Sequence, residues 1–372
     1  WKFDTGNVHG SDAKVERDRN YSLLDIDELF SRKEDRSTNI FPAFAEDIFR
    51  RRLEYAGFKD LPDKCLLHVL GSTLTPVEKA KKLYKDERSM LDSLRFGTNW
   101  DDLDKKLISS ISVSNPLFAR LMEAYRFQKG DLRVFSSMTN LTKFPKSLVW
   151  WKKERSQAAL FQLASRNNQQ NVWCGEHDIL MLSSGNILTF VKLCRKIWEY
   201  LERSGTFSIE ILPFRIPFSI QSVAVYSVSS DFYDSIQSYR RQNLVSKMGN
   251  YFRNKILSDS ALSYPGGNGL SISRKDFYSF RSSFYVLNEC IDFGEIKMFR
   301  HTGKSEPKER FKFYLAPILC PYFKIPHSKT KEPIYFRQSD VLSFFDDFSK
   351  NSMNVRFRGS VGGSQLSLNF DV

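Results

Sequence analysis

The run from Met181 to Tyr200, MLSSGNILTFVKLCRKIWEY, constrains this chain more than any other stretch. A small polar turn, Ser183-Ser184-Gly185-Asn186, opens it. Ile187, Phe190, Cys194, Ile197 and Leu201 then recur at spacings of three and four, which places them on one face of a helix. Lys192, Arg195, Lys196 and Glu199 line the opposite edge, and Gly205 stands where the helix would end. A glycine at a helix start also lets backbone approach another segment or a phosphate closely. On periodicity alone the element is a capped core helix.

The string LSSGNILTFVKLCRKIWE resembles the start of the last lid helix in AAA+ ATPases of the origin-recognition-complex type and in their STAND relatives. In that family a Gly-Asn or Gly-Asp pair opens a helix over the nucleotide, and the helix offers an arginine, sensor 2, to the γ-phosphate. The resemblance implies that Ser184, Gly185 and Asn186 face ATP, bound with Mg²⁺ by a core in the full-length protein. Leu188 stands near the place of that arginine, a departure that puts hydrolysis in doubt. The likeness is strongest over residues 148–203, where WWKKERSQAALFQLASR and NVWCGEHDILMLSSGN continue the block. Upstream, LLDIDEL is similar to a Walker B strand, but Asp25 interrupts the apolar run that its carboxylates would need. It reads as a strand or turn near the end of an ATPase core, with no metal role.

Nothing else in the chain supplies catalytic chemistry. It contains no GxxxxGK[ST] phosphate loop, no GxSxG and no HExxH. An ATPase reading therefore expects the phosphate loop before Trp1 and this chain to be the carboxy-terminal part of a longer protein. The five cysteines are scattered without a CxxC pair, which indicates neither a zinc site nor a disulfide framework. Free thiols in a reducing cytoplasm are the expectation. No apolar run approaches the roughly 18–20 residues that cross a bilayer, and no signal peptide or lipidation signal is visible. A net charge of +13 points to an acidic partner, most simply nucleic acid, with a solvated basic surface as the alternative.

Four regions are expected: 1–40, the end of an incomplete ATPase core or a linker; 41–205, a helical lid domain; 206–325, a winged-helix domain; 326–372, a tail. The first helix of the lid shows a stripe of Phe44, Ile48 and Leu53 beside Arg50-Arg51-Arg52, a solvated row or a trans-acting finger. Beyond Pro217, helices are expected over Ser219–Val228, Asp231–Tyr239 and Leu244–Leu257, then a short strand at Leu270. Phe277, Phe280, Phe284, Leu287 and Ile291 form one more helical stripe, closed by Gly294. Strands Glu295–Arg300 and Arg310–Leu315 follow, joined by a polar loop. The fold class is thus mainly α: an AAA+ lid-like helical domain followed by a winged helix-turn-helix with a small β-wing.

Between Ser235 and Ser258 there is no acidic residue, while Arg240, Arg241, Lys247, Arg253 and Lys255 are basic. In the hairpin Lys297, Arg300, Lys304, Lys308, Arg310 and Lys312 outnumber Glu295, Glu306 and Glu309. These residues are the expected nucleic-acid contacts, to duplex DNA, with the helix in the major groove and the wing along the backbone. The resemblance implies a regulatory, nucleotide-switched portion of an AAA+ or STAND ATPase, cytoplasmic, with a homo-oligomer or an effector protein as further partners. In bacteria such proteins often act in antiviral defence. A stand-alone DNA-binding protein in which 41–205 dimerises, and a scaffold for protein contacts, are the alternatives.

Overall fold

A computed structural model describes residues 40–84, 86–136, 144–167, 172–205, 215–264, 266–280, 284–302, 309–328 and 333–348. The LLDIDEL segment lies outside them. Helix α1 (Ile40–Tyr55) buries Phe41, Ala45, Phe49 and Leu53. That face is turned from the expected one, because Phe41 and Phe49 take the core positions and Phe44 and Ile48 stay half-buried. Phe41 meets Phe190 edge-on at 6.3 Å. Arg50 donates to the Pro62 carbonyl at 2.6 Å, whereas Arg51 and Arg52 remain exposed. Glu46 accepts from the backbone N–H groups of Cys65 and Leu66 and so starts α2 (Cys65–Leu70).

Side-chain caps set most of the next boundaries. Thr75 and Glu78 form a capping box on α3 (Pro76–Lys82), Asp86 caps α4 (Glu87–Asp92), and Asp101 caps α5 (Asp102–Ser114). Asn115 caps α6 (Pro116–Lys129), which Gly130 ends at φ 85°. After α7 (Arg133–Ser136) comes α8 (Val149–Arg166), an interior helix that buries Ala158 through Ala164 without a break. The turn at the centre of the sequence joins α9 (Glu176–Ser183) to α10 (Ile187–Arg203).

Two helices expected in the second half are fused into one. Ser229 directs its hydroxyl to the Ile318 carbonyl at 2.6 Å and accepts from Tyr322 N–H at 2.9 Å. The hydroxyl therefore finds its partners outside the helix, and α11 (Phe218–Asp234) runs on through Ser229. Ser238 then caps α12 (Tyr239–Ser258). After β1 (Gly266–Ser273), the phenylalanine stripe divides into α13 (Arg274–Ser279) and α14 (Tyr285–Asp292), and Phe277 stacks on Phe284 with centroids 4.9 Å apart.

The hairpin of β2 (Ile296–Thr302) and β3 (Glu309–Leu315) follows as expected. After α15 (Cys320–Phe323), β4 (Pro333–Tyr335) leads into α16 (Gln338–Phe345). The sheet order is β2-β3-β1-β4, with β1 antiparallel to β3 and parallel to β4. Ile334, Val341, Phe344 and Phe345, in the stretch expected as a tail, join the main buried cluster, which also holds Phe41 and Phe190. Among the described residues the molecule is mainly helical with one small mixed sheet, and residues on both sides of position 205 share that core.

A buried polar network ties the first helices to the end of α12. Arg120 on α6, 1% exposed, donates to Gln162 of α8 at 2.7 Å and to the Ser260 carbonyl at 2.7 Å. Gln162 in turn donates to the carbonyls of Ile256 and Asp259 at 2.6 and 2.9 Å. Arg120 Nη1 faces the Glu123 carboxylate at 3.3 Å without hydrogen-bond alignment, so that link is Coulombic. Glu123 also accepts from Arg95 N–H and from Arg166. Desolvation lowers the Arg120 pKa to about 10 while Glu123 opposes the shift, which leaves the guanidinium charged at neutral pH.

Two predictions follow from this packing. Glu123→Ala deprives a fully buried guanidinium of its carboxylate and should cost about 3–5 kcal/mol in chemical denaturation. His327, whose charge environment includes Asp178, Lys79 and His177, is pushed down to about 4 by desolvation first, with Asp178 opposing. A base depressed in the fold stabilises fully above its unfolded pKa of about 6.5, and that stability is lost as pH falls through about 4. His327→Gln should flatten the fall in denaturation midpoint over that window.

Candidate lid turn and nucleic-acid interface

The turn between α9 and α10 is built by two successive residues with positive φ. Ser184 sits at φ 49°, ψ 39°, and Gly185 at φ 82°. Ser184 N–H bonds the carbonyls of Leu180 and Met181, both at 3.2 Å, which ends α9. Asn186 starts α10 by accepting from Thr189 N–H at 2.9 Å, so its side-chain oxygen serves as a helix cap. Leu188 is 63% exposed on the first turn of α10. The three residues singled out in the sequence thus form one connected turn. Sequence reasoning missed its contact: Lys297 Nζ of β2 donates to the Ser184 hydroxyl. The turn and the hairpin, more than a hundred positions apart, meet there.

Among the described residues, one of the expected nucleic-acid contacts is turned into the interior. Arg241 is 6% exposed, lies 2.6 Å from Glu295 in an ion pair, and covers the Phe293 ring at 3.7 Å. Burial pushes the Glu295 carboxyl up, and Arg241 pulls it back. Arg241 is therefore an internal bolt between α12 and the start of the hairpin, which corrects its reading as a phosphate contact. Lys247 lies 5.1 Å from the Phe344 ring and 5.4 Å from Phe348. Arg240 and Arg253 are half-buried, and Lys255 is exposed beside Tyr251. Helix α12 packs against β1, α14 and α8, a scaffold position that leaves only part of its basic side to solvent.

The helix directly before the hairpin is α14, and its sequence YVLNECID carries Glu289 and Asp292 with no lysine or arginine. Cations gather instead on the sheet. Arg300 is exposed, Lys297, Arg310 and Lys312 are half-buried, and Lys304 and Lys308 lie outside the described residues. Arg310 donates to the Ser271 hydroxyl and carbonyl, each at 2.9 Å, and to the Phe336 carbonyl at 3.2 Å. His301 Nε2 meets the same Ser271 hydroxyl at 2.9 Å. Its pKa is lowered by desolvation first and by Lys312 and Arg310 after it. A cleft of about 200 Å³ opens at the hairpin mouth beside Arg274, Tyr278, Arg300 and His301, with Arg274 paired to Glu309. The period-two string RFKFY was the available signal for this face, since it sends Arg310 and Lys312 to one side and Phe311 and Phe313 to the other. Among the described residues no group of histidines, cysteines and carboxylates is arranged to hold a metal ion, and no helix is long and apolar enough to cross a membrane.

The chain belongs to the ORC-CDC6-like family, whose sequence model matches residues 4–336. That membership relates it to AAA+ ATPases of the ORC/CDC6 type. Comparison with curated proteins and with solved structures finds no match.

The backbone of the turn generates its own prediction. At φ 82° a side chain on residue 185 is strained, so Gly185→Ala should lose about 1–2 kcal/mol in urea denaturation. Gly185→Asn should lose less, because Asn enters the left-handed region more readily.

Proposed function

We propose that this chain is the regulatory, nucleic-acid-binding portion of a nucleotide-switched ORC-CDC6-type AAA+ ATPase. The observation that carries the reading is the Lys297–Ser184 hydrogen bond. It joins the turn that the family resemblance places over ATP to the hairpin that bears the exposed Arg300. Nucleotide arriving at Ser184, Gly185 and Asn186 would act on that contact and so bias the position of the hairpin, a two-state coupling of the kind switch proteins use. The resemblance to STAND relatives extends the proposal to a role in bacterial antiviral defence.

The order α12-β1-α13-α14-β2-β3, with β3 between β2 and β1, supports a winged helix-turn-helix reading. In that arrangement α14, not α12, is the helix offered to a groove. Its carboxylates repel phosphate, so binding rests on the hairpin cations and carries little sequence preference. Duplex DNA meets the hairpin through its backbone. ATP and Mg²⁺ belong to a core in the full-length protein, with no catalytic residue assigned in this chain.

Two measurements test the proposal. In a mobility-shift assay the chain should bind duplex DNA with an affinity that falls steeply with salt. Arg300→Glu with Lys304→Glu and Lys308→Glu should weaken binding and flatten the salt slope by about 0.9 per phosphate contact removed. No salt-sensitive binding at low ionic strength would leave these residues as solvated surface and end the nucleic-acid reading. By calorimetry the chain alone should bind ATP weakly, and tight binding would place the nucleotide site elsewhere.

A further inference from the structure

The sheet face turned away from Leu270, Ile272, Phe311 and Phe313 carries a row of side chains in which Tyr335 is exposed, Phe299 and Lys312 are half-buried and Ser271 is buried. In register across four strands stand Phe299 of β2, Lys312 of β3, Ser271 of β1 and Tyr335 of β4. Strand pairing puts their side chains on one face. The next row pairs His301 with Arg310. The opposite face holds Leu270, Ile272, Phe311 and Phe313, packed into the core beneath α13, where Phe277 lies 5.1 Å from Phe311.

Aromatic rings thus stand at both ends of a row that holds Lys312, with Arg310 in the row beside it. Tyr335 is 45% exposed, and the Arg310 guanidinium lies 5.1 Å from its ring. Phe299 meets Tyr314 edge-on at 6.1 Å, and Tyr314 in turn lies so close to Gly269 that a Cβ there would come within 2.3 Å of its ring. Lys312, Arg310 and Lys297 give the face positive charge, and none of the strand residues turned to it is acidic. From β4 to β2 the row covers three inter-strand steps, about 14 Å. On a four-stranded sheet, aromatic side chains can stack two or three bases.

We infer that this outer sheet face is a platform for single-stranded nucleic acid, with bases stacked on Tyr335 and Phe299 and phosphates beside Lys312 and Arg310. The inference rests on the nucleic-acid reading and deepens it, adding a strand-selective site to the backbone contacts of the hairpin. Base stacking is indifferent to sequence because every base has a π-face. A paired duplex cannot use the platform, since its bases already stack on one another. Arg310, bound to the Ser271 and Phe336 carbonyls, also stiffens the row.

The test compares fluorescein-labelled oligothymidylate with a duplex by fluorescence anisotropy at low salt. Tyr335→Ala should weaken oligothymidylate binding about 10-fold and leave duplex affinity unchanged, while Tyr335→Phe should retain both. Melting temperature and duplex affinity separate a lost platform from a lost fold. Unchanged oligothymidylate affinity in Tyr335→Ala, an equal loss on duplex, or duplex binding by the wild type without oligothymidylate binding would overturn the platform alone. Failure of the wild type to bind either would remove the nucleic-acid reading itself.

Discussion

The arrangement of this molecule depends on one enclosed charge, the Arg120 guanidinium. A helix ends with carbonyls that have no partner within it, and a buried helix end must find partners elsewhere. At the end of α12 they come from the other half of the chain: Arg120 reaches Ser260, Gln162 reaches Ile256 and Asp259, and Arg155 reaches Leu262 at 2.9 Å. The strand β1 leaves from that point, so the sheet inherits its position from α6 and α8. A guanidinium in so dry a place requires its carboxylate, and Glu123 supplies it. The position of the hairpin beside the α9–α10 turn, and with it the reach of Lys297 to Ser184, follows from this anchoring.

A second pair repeats the device nearer the surface. Arg241 and Glu295 close the gap between α12 and the first residue before β2, with Phe293 lying against the guanidinium. The basic residues of the chain therefore fall into two groups. Arg120, Arg155, Arg241 and Arg310 hold backbone carbonyls or carboxylates inside the fold, where a planar five-donor group fits better than an ammonium. Arg300 and Lys255 remain exposed. Net charge counts both kinds alike, so it overstates the cationic surface and cannot locate it.

Membership in the ORC-CDC6-like family relates the chain to AAA+ ATPases. Without that relationship, Ser184 and Gly185 are a two-residue left-handed link between helices, and Asn186 is a cap. In the function we propose, the same backbone is where a nucleotide would be sensed, and Lys297 would link it to the sheet. In the same proposal the acidic α14 leaves the hairpin and the outer sheet face as the nucleic-acid contacts.

Local rules determined much of this protein. Period three and four marked α10 with Phe190, Ile197 and Leu201 buried, and Asn186, Thr75 and Asp101 placed helix starts, because caps and stripes act over a few residues. The hairpin strands were equally legible from alternation. Tertiary structure alone decided the phase of α1 and the fusion of two expected helices into α11, since each turned on a partner far along the chain. It alone recruited 333–348 into the core and turned Arg241 inward. An arginine in a sequence looks the same whether its carboxylate is water-exposed or buried 54 positions away, and only packing chooses between them.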